Sequence, residues 1–408
     1  MSFNIALSGL TAANQALSVT ANNLANASTV GFKGSRTEFS NLYASTQQGV
    51  AATAVGNGVT VSEVASQFTQ GDIESTGNDL DMAISGNGFF TLSNNGALQY
   101  TRNGQFQTNA NGDVVTASGA YLQVYPALAN GTYNTGTLTN LNVSTGISAP
   151  QATTTASFTA NLPAQSTTPA DAANFDPSDP DSYNNTTSMT VYDSLGAAHT
   201  ATMYFTNQGG GTWDTQLYID GNAVGAAQTL TYSNSGALTS PTDGILNFGT
   251  YTPTTGAADM NINFNMANTT QYGSSFDVTA ESQDGFTTGQ LTGISIDSTG
   301  VVQAQYTNGK TINLGQVALA NFANPQGLQQ MGNQNYSATN SSGQPVMGVA
   351  GTSGFGNVQD GSLEQSNVDT TTSLVDMITE ERAFQANSQM IQTNDQITQS
   401  VIQMAQAG

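Results

Sequence analysis

The sequence contains no cysteine and very few basic residues. Without cysteine, neither a disulfide framework nor a thiolate metal site is possible. Lysine and arginine number five against 27 aspartates and glutamates, so the net charge is −22. No cationic patch is therefore available to neutralise phosphates or to hold an anionic membrane. We expect no nucleic-acid partner and no membrane insertion.

Charge of either sign and long apolar runs are also scarce. Charged residues make up 8% of the chain, against roughly 25% in an average soluble protein. The segment before Lys33 has no charged side chain, and the basic leader and continuous apolar core of a secretory signal are both missing. No stretch reaches transmembrane length. If the protein leaves the cell, we expect a route that does not read an ordinary cleavable signal.

Both ends of the chain carry apolar residues at helical spacing. Near the N-terminus the steps alternate between four and three, which is typical of a coiled-coil seam. The members of this row are Phe3, Leu7, Leu10, Leu17, Ala21 and Leu24, with Asn14 at the one polar position. Near the C-terminus two rows repeat at sevens, namely Met377, Phe384 and Ile391, and Met390, Ile397 and Met404. We predict a helix at each end and interpret these residues as a self-assembly interface.

An isolated N-terminal helix would be marginal. Burying its five large apolar side chains is worth roughly 8 to 15 kcal/mol, whereas ordering its backbone costs about 1 to 2 kcal/mol for each of some two dozen residues before hydrogen bonds offset part of it. The row therefore needs partners in the C-terminal helix or in neighbouring copies. A heptad pattern does not show which helix it packs against, so a helical hairpin within one monomer is an alternative.

Between the ends the apolar period changes from helical to strand-like. Leu80, Met82 and Ile84 alternate with polar residues and predict a half-buried strand. Asn-Gly pairs follow every eight residues, at 87–88, 95–96, 103–104 and 111–112. Asn-Gly favours type I′ hairpin turns, so an antiparallel meander is predicted. Further strands are predicted around 294–296 and 312–319, on either side of an Asn-Gly turn at 308–309.

A Thr- and Pro-rich segment then introduces a third region with strand candidates at 189–192, 200–205 and 213–219. The predicted fold is mainly β with terminal α-helices, in a nested arrangement. Its parts are a coiled-coil-like inner domain (1–26 plus 371–408), a connector (27–70 plus 356–370), a discontinuous β domain (71–145 plus 284–355) and an inserted all-β domain (146–283).

No catalytic, cofactor or metal site is predicted. The glycine pair at 86 and 88 lacks the third glycine of a nucleotide-binding loop. Prolines interrupt the acidic run at 176–181, so its spacing does not match a calcium loop. His199 is the only histidine, and the chain has neither a G-x-S-x-G turn nor a metal-spaced partner for it. We therefore expect a protein that is not an enzyme and has no cofactor.

Several motifs resemble those of the flagellar rod, hook and hook-associated proteins. The segment ANNLANASTVGFK (21–33) resembles their N-terminal signature, and GNDLDMAISGNGFF (77–90), SNVD (366–369) and ERAFQAN (381–387) are similar to later motifs. The matching positions are Ala21, Asn22, Asn23, Leu24, Ala25, Asn26, Gly31, Phe32, Lys33, Ser366, Asn367, Val368, Asp369 and Arg382. SMTVYDSLGAAH (188–199) resembles the second domain of the hook proteins. One departure is Glu381, where family members more often place Gln.

The resemblance implies a structural subunit that polymerises into the curved, flexible tube of the flagellar hook, a universal joint between motor and filament. It also implies partners: further copies of the chain, the distal rod protein, the hook cap protein, the hook–filament junction protein and the flagellar export apparatus. The implied location is the hook of the bacterial flagellum, outside the cell after export through the flagellar channel. Two other hypotheses are a secreted adhesin, which would not need matched helical rows at both ends, and a hydrolase using His199.

Overall fold

The computed structural model describes residues 2–42, 56–128, 131–143 and 147–407. These residues form two compact units. The first comprises residues 1–144, 293–305 and 311–408, and the second comprises 145–292 and 306–310. The predicted fold class is confirmed, because the chain is mainly β-strand with one long helix at each end.

The two helices are α1 (Ser2–Ala25) and α2 (Thr370–Ala407). They pack antiparallel, since Gly9 of α1 lies against Asn387 of α2 while Thr20 Oγ1 donates to Glu380 Oε1 at 3.0 Å. Asp369 caps the start of α2, where its Oδ1 accepts from the Thr372 backbone N–H at 2.6 Å. Within the described residues, neither helix combines the length and the apolar character needed to cross a membrane.

The strands of the first unit come from both ends of the chain. Before the second unit the chain forms β1 (Ser35–Asn41), β2 (Val59–Ser66), β3 (Ile73–Ser75), β4 (Met82–Ser85), β5 (Phe89–Asn94), β6 (Ala97–Thr101), β7 (Phe106–Thr108), β8 (Val114–Thr116), β9 (Tyr121–Pro126) and β10 (Thr139–Asn140). The second unit contains β11 (Thr155–Pro163), β12 (Asn185–Tyr192), β13 (Ala198–Gly209), β14 (Thr212–Ile219), β15 (Asn222–Tyr232), β16 (Leu238–Ser240), β17 (Ile245–Tyr251), β18 (Met260–Asn265), β19 (Thr270–Tyr272) and β20 (Asp277–Gln283). The chain then forms β21 (Leu291–Ile296), β22 (Val301–Tyr306), β23 (Thr311–Asn321), β24 (Gln329–Gly332), β25 (Asn335–Ser337), β26 (Val346–Val349), β27 (Asn357–Asp360) and β28 (Ser362–Glu364). Single 3-10 turns occupy Pro180–Ser182 and Pro325–Gly327.

The main sheet of the first unit interleaves early and late strands in the order β21-β22-β23-β9-β5-β6-β25-β24. Three smaller antiparallel pairs, β1-β2, β27-β4 and β28-β3, lie outside this sheet. The pairs β27-β4 and β28-β3 place the segment just before α2 beside residues 73–85. An aromatic cluster fills part of the core with edge-to-face contacts, and its rings belong to Phe68, Phe89, Tyr100, Phe322 and Tyr336.

Two local predictions in this unit need correction. The strand predicted from Leu80 begins at Met82 and is buried on both faces, because β4 lies inside the core rather than at its surface. Of the four early Asn-Gly pairs, 95–96 and 111–112 connect paired strands, and only 95–96 has both residues at positive φ. The other two pairs join strands that do not pair with each other. At 103–104 the glycine is required by close approach instead, since a Cβ there would clash with the Met82 carbonyl.

In the second unit, two five-stranded sheets share one core. One sheet runs β12-β13-β14-β15-β16, and the other runs β17-β18-β11-β19 with β20 also paired to β11. Trp213, Phe205, Phe158 and Phe264 are fully buried between them. The three strand candidates predicted in this region are confirmed as parts of β12, β13 and β14.

The four-part division of the chain stays a prediction. The predicted boundary at 145/146 falls in residues 144–146, and part of the predicted connector falls in residues 43–55, both outside the described residues. The second unit includes residues 284–292 and 306–310, which the sequence had assigned to the discontinuous β domain.

Candidate assembly interface and connector junction

The face that α1 turns inward carries small side chains. Ala6, Ala13, Ala16 and Thr20 are buried, and Gly9 continues the same row at steps of three and four. A Cβ on Gly9 would lie 2.7 Å from Asn387 Oδ1, so a larger residue at this position would have to displace the Asn387 side chain. Small side chains therefore line the contact between α1 and α2, and the large apolar side chains of α1 lie outside that contact.

The large apolar residues predicted for the N-terminal row are therefore only partly covered. Phe3 and Leu7 remain 42% and 45% exposed, whereas Leu10, Leu17 and Leu24 are half-buried. The two other predicted members of the row, Asn14 and Ala21, are exposed. The α1–α2 contact uses a neighbouring row, so the predicted seam is largely free in the single chain.

The two predicted rows of α2 have different environments. Met377, Phe384 and Ile391 are half-buried, and they alternate with Asn387 and Asn394 along the side that meets α1. The second row is exposed: 50% for Met390, 57% for Ile397 and 68% for Met404. From Asp395 to Met404 every side chain is exposed, so this end of α2 has no cover among the described residues.

The signature residues near the helix ends tie the connector together. Asn23 forms two hydrogen bonds with the Ser35 backbone, donating to its O at 2.6 Å and accepting from its N–H at 2.9 Å. Asn367 Oδ1 accepts from the Gly34 N–H at 2.8 Å, and its Nδ2 donates to the carbonyls of Gln67 and Thr69 at 2.7 and 3.1 Å. Both asparagines therefore satisfy backbone groups that strands leave unpaired.

A buried ion triad lies at the same junction. Glu364 Oε1 accepts from Lys33 Nζ at 2.6 Å and Glu364 Oε2 accepts from Arg102 at 3.1 Å, with side-chain exposures of 0% for Lys33 and Glu364 and 5% for Arg102. Lys33 Nζ also donates to the Thr69 carbonyl at 2.8 Å, and Arg102 donates to the Gly86 carbonyl at 2.7 Å. One carboxylate thus joins the end of the signature segment, the first β segment and the strand just before α2.

The triad is stable only while all three of its charges are present. Burial lowers the pKa of both Lys33 and Arg102, and the charge of Glu364 opposes that shift. Removing one partner from a buried pair leaves an uncompensated charge and typically costs about 3 to 5 kcal/mol. Gly31 supports this geometry: its N–H donates to the Glu364 carbonyl at 2.7 Å, and its φ of 67° suits glycine.

The remaining signature positions have simpler roles. Phe32, Ser366 and Val368 are half-buried beside the junction, and Asn26 donates to the Asn22 carbonyl in the last turn of α1. Asn22, Ala25 and Arg382 are exposed. Arg382 makes no ion pair with any described residue.

Two parts of this site were missed by the sequence reasoning. The small-residue row of α1 was visible as a spacing of 6, 9, 13, 16 and 20, but the larger apolar residues beside it dominated the pattern. Glu364 gave no local signal, because its partners Lys33 and Arg102 are 331 and 262 positions away.

The single histidine lies elsewhere, in the second unit. His199 is buried, and its two ring nitrogens face Asp220 Oδ2 at 2.6 Å and Asp193 Oδ2 at 3.2 Å. The nearby Ser194 Oγ accepts from the Ala258 N–H. With both nitrogens engaged by carboxylates, this ring has no free nitrogen to act as a base toward a nucleophile.

Four family models match successive parts of the chain. They are the flagella basal body rod protein (residues 3–33), the flagellar hook protein FlgE/F/G D1 domain (83–161), the flagellar basal body protein FlaE D2 domain (161–286) and the flagellar basal body rod FlgEFG protein C-terminal model (359–404). Together they cover most of both helices, the first part of the early β region and most of the second unit, and they leave residues 34–82 and 287–358 unmatched.

Similar proteins extend over the whole chain. The flagellar hook protein FlgE of Escherichia coli K12 is 38% identical, covering 99% of this chain and 100% of the relative. The FlgE of Salmonella typhimurium LT2 is 36% identical with the same coverage. The crystal structure of Helicobacter pylori flagellar hook protein FlgE2 is similar in fold, with a TM-score of 0.53 and 14% identity over 72% of this chain and 100% of that one.

Proposed function

This chain belongs to the flagellar hook protein family, and from that premise we propose that it polymerises into the tube that links the flagellar motor to the filament. It is a structural subunit of the bacterial flagellar hook. In the proposed role it catalyses no reaction, and its copies form a curved, flexible universal joint that transmits torque. Its neighbours would be other copies, the distal rod protein, the hook cap protein and the hook–filament junction protein, after passage through the flagellar export apparatus.

The observation that carries this proposal is the apolar surface left on the helices after they have packed together. Phe3 and Leu7 on α1, and Met390, Ile397 and Met404 on α2, are each 42% to 68% exposed. Covering the exposed part of one such side chain is worth roughly 1 kcal/mol. Rows of this kind on a soluble chain indicate a surface that a partner covers.

A second copy of the chain fits this surface because the helices carry little charge. No residue of α1 is charged, and after Arg382 the only charged residue of α2 is Asp395. In an open helical polymer each side chain meets the same environment in every copy, so charges near the axis would repel their own repeats. Nearly neutral apolar rows avoid that repulsion.

The contacts between α1 and α2 also argue against the alternative that the predicted rows only form a helical hairpin within one monomer. A hairpin does form, but through the alanine row of α1 and the Met377 row of α2. It leaves the second predicted row of α2 exposed along its whole length, so intramolecular pairing does not account for that row.

Substitution of Ile397 tests the proposal. Ile397→Gln should leave the unfolding of the monomer unchanged, because the side chain is already 57% exposed. It should raise the critical concentration for polymerisation about fivefold, since every 1.4 kcal/mol is a factor of ten and about 1 kcal/mol of burial is lost. Sedimentation and electron microscopy of the pelleted tubes measure this.

The matched control is Ile245→Gln, the same replacement at an isoleucine that is 43% exposed in the second unit. It should polymerise as the natural chain does. The proposal fails if Ile397→Gln assembles normally, or if a chain lacking residues 2–25 and 371–408 still forms hollow tubes.

A further inference from the structure

His199 sits between two carboxylates in a way that constrains its protonation. Its Nδ1 is 2.6 Å from Asp220 Oδ2 and its Nε2 is 3.2 Å from Asp193 Oδ2. An ionised carboxylate only accepts hydrogen bonds, and a neutral imidazole carries a single N–H. A neutral ring would therefore direct a lone pair at one of the two carboxylates, whereas an imidazolium donates to both.

Neither aspartate is placed to supply the extra proton itself. Asp193 Oδ1 accepts from the backbone N–H groups of Leu195 and Ala197, and its Oδ2 accepts from Thr255 Oγ1 at 2.7 Å. Burial alone would raise the pKa of Asp193, but these bonds and the one from His199 outweigh it and lower the pKa to about 2. Asp220 is 41% exposed and its Oδ1 accepts from the Thr200 N–H, so it too is stabilised as the anion.

We propose that His199 is an imidazolium in the folded second unit, and that this cation forms an alkali-labile lock joining three separate loops. Asp193 belongs to the loop between β12 and β13, and Asp220 to the turn between β14 and β15. Through Asp193 the lock reaches Thr255, in the loop after β17, a strand of the other sheet. One protonated ring thus ties the two sheets together at one end.

Among the described residues, His199 forms ion pairs with Asp193 and Asp220 alone. Tyr251 of β17 packs edge-on, with ring centroids 5.8 Å apart, and its hydroxyl reaches Asp220 Oδ2 at 3.5 Å. Asp193, Asp220 and Tyr251 are the titratable groups that contact His199 among the described residues. No described cation competes with the imidazolium for the two carboxylates.

The sign of the pH dependence follows from the ring's environment. Burial lowers the pKa of His199, but hydrogen bonds to Asp220 and Asp193 and their negative charge raise it above its ordinary 6.5. A group whose pKa is raised by folding stabilises the folded state fully below the unfolded pKa. That stabilisation is lost as the pH rises through the folded pKa. The lock should therefore be closed in acid and neutral media and open in alkaline ones.

The test uses the full chain and its single histidine, which makes the NMR assignment unambiguous. Long-range proton–nitrogen spectra near pH 7 should show both ring nitrogens protonated, with a titration midpoint above 6.5. Asp220→Asn, which keeps the shape but removes the charge, should lower that midpoint. A neutral tautomer near pH 7, or a midpoint at or below 6.5, would overturn the proposal.

Thermal unfolding supplies a second readout. Trp213, the only tryptophan, is fully buried in the core of the second unit and reports its unfolding by fluorescence. The melting temperature of that transition should fall as the pH rises above about 6.5, and the fall should be smaller in His199→Gln. An equal fall in both proteins would contradict the lock. The spectra of the natural chain decide the protonation state even if this variant does not fold.

Discussion

The second unit and the terminal helices bury opposite kinds of residue. In the second unit the largest side chains, among them Trp213 and Phe264, are fully enclosed between two sheets. In the helix pair the buried residues are alanines and Thr20, with Gly9 half-buried between them, while Phe3 and Met404 remain exposed. A unit that buries its large apolar groups stabilises itself. A helix pair that exposes them leaves much of its hydrophobic stabilisation to be gained from neighbours.

Removing a large side chain from the core of the second unit should have one of the two largest effects on stability. Phe264→Ala should destabilise that unit by about 3 to 5 kcal/mol, because it removes a fully buried ring and leaves a cavity. Trp213 fluorescence during denaturant unfolding measures the loss. The helices take no part in this core, so helical protection measured by hydrogen exchange should not change. A parallel loss of helix protection would contradict the claim that the second unit stabilises itself independently of the helices.

An effect of similar size is expected at the ion triad. Glu364→Ala leaves Lys33 and Arg102 buried without their shared anion, so the first unit should lose about 3 to 5 kcal/mol of stability. Denaturant unfolding followed by circular dichroism measures it, and the Trp213 signal of the second unit serves as an internal reference. Glu38→Ala is the matched control, because Glu38 pairs with Arg36 at the surface and its loss should cost less than about 1 kcal/mol.

Overpacking the contact between the helices should have an intermediate effect. Gly9→Val forces a branched side chain against Asn387 and should cost the helix pair about 1 to 3 kcal/mol. Gln15→Val places the same side chain at an exposed position of α1, where it meets no overpacking, although its lower helix propensity than glutamine costs a few tenths of a kcal/mol. Hydrogen exchange of α1 amides measures both variants. If the two variants lose equal protection, the small-residue row is not the contact that holds α1.

The smallest expected effect is at the N-terminus of α2. The hydrogen bond from the Thr372 N–H lowers the pKa of Asp369 below its ordinary 3.8. The cap therefore stabilises the helix above that value, and this contribution is lost as the pH falls through the lower, folded pKa. Asp369→Asn keeps a capping oxygen without a titrating group, so it should remove this dependence. Helicity between about pH 5 and pH 2 measures the difference, and an unchanged acid transition would contradict the cap.

Much of the architecture was predictable because periodicity is a local property. Period-seven apolar rows indicated both terminal helices, and the change to period two indicated the strands around Met189, Trp213 and Val317. Hairpin turns were less predictable. Asn-Gly marks a tight backbone turn, but whether the flanking strands pair depends on distant partners, as the strand from Met82 to Ser85 shows by pairing with residues 357–360.

The sequence alone determined that the two ends are helical, that the middle is β, and that the chain carries almost no charge where its helices would stack. Only the tertiary structure decided which helical row is buried. A heptad repeat shows that a helix has an apolar face, but it does not show which residues a second helix will cover. It also decided that Glu364 forms ion pairs with two basic residues from distant segments, and that His199 lies between two aspartates. Such contacts join positions far apart in the chain, and their strength depends on how the fold buries and pairs the charges, which no local pattern records.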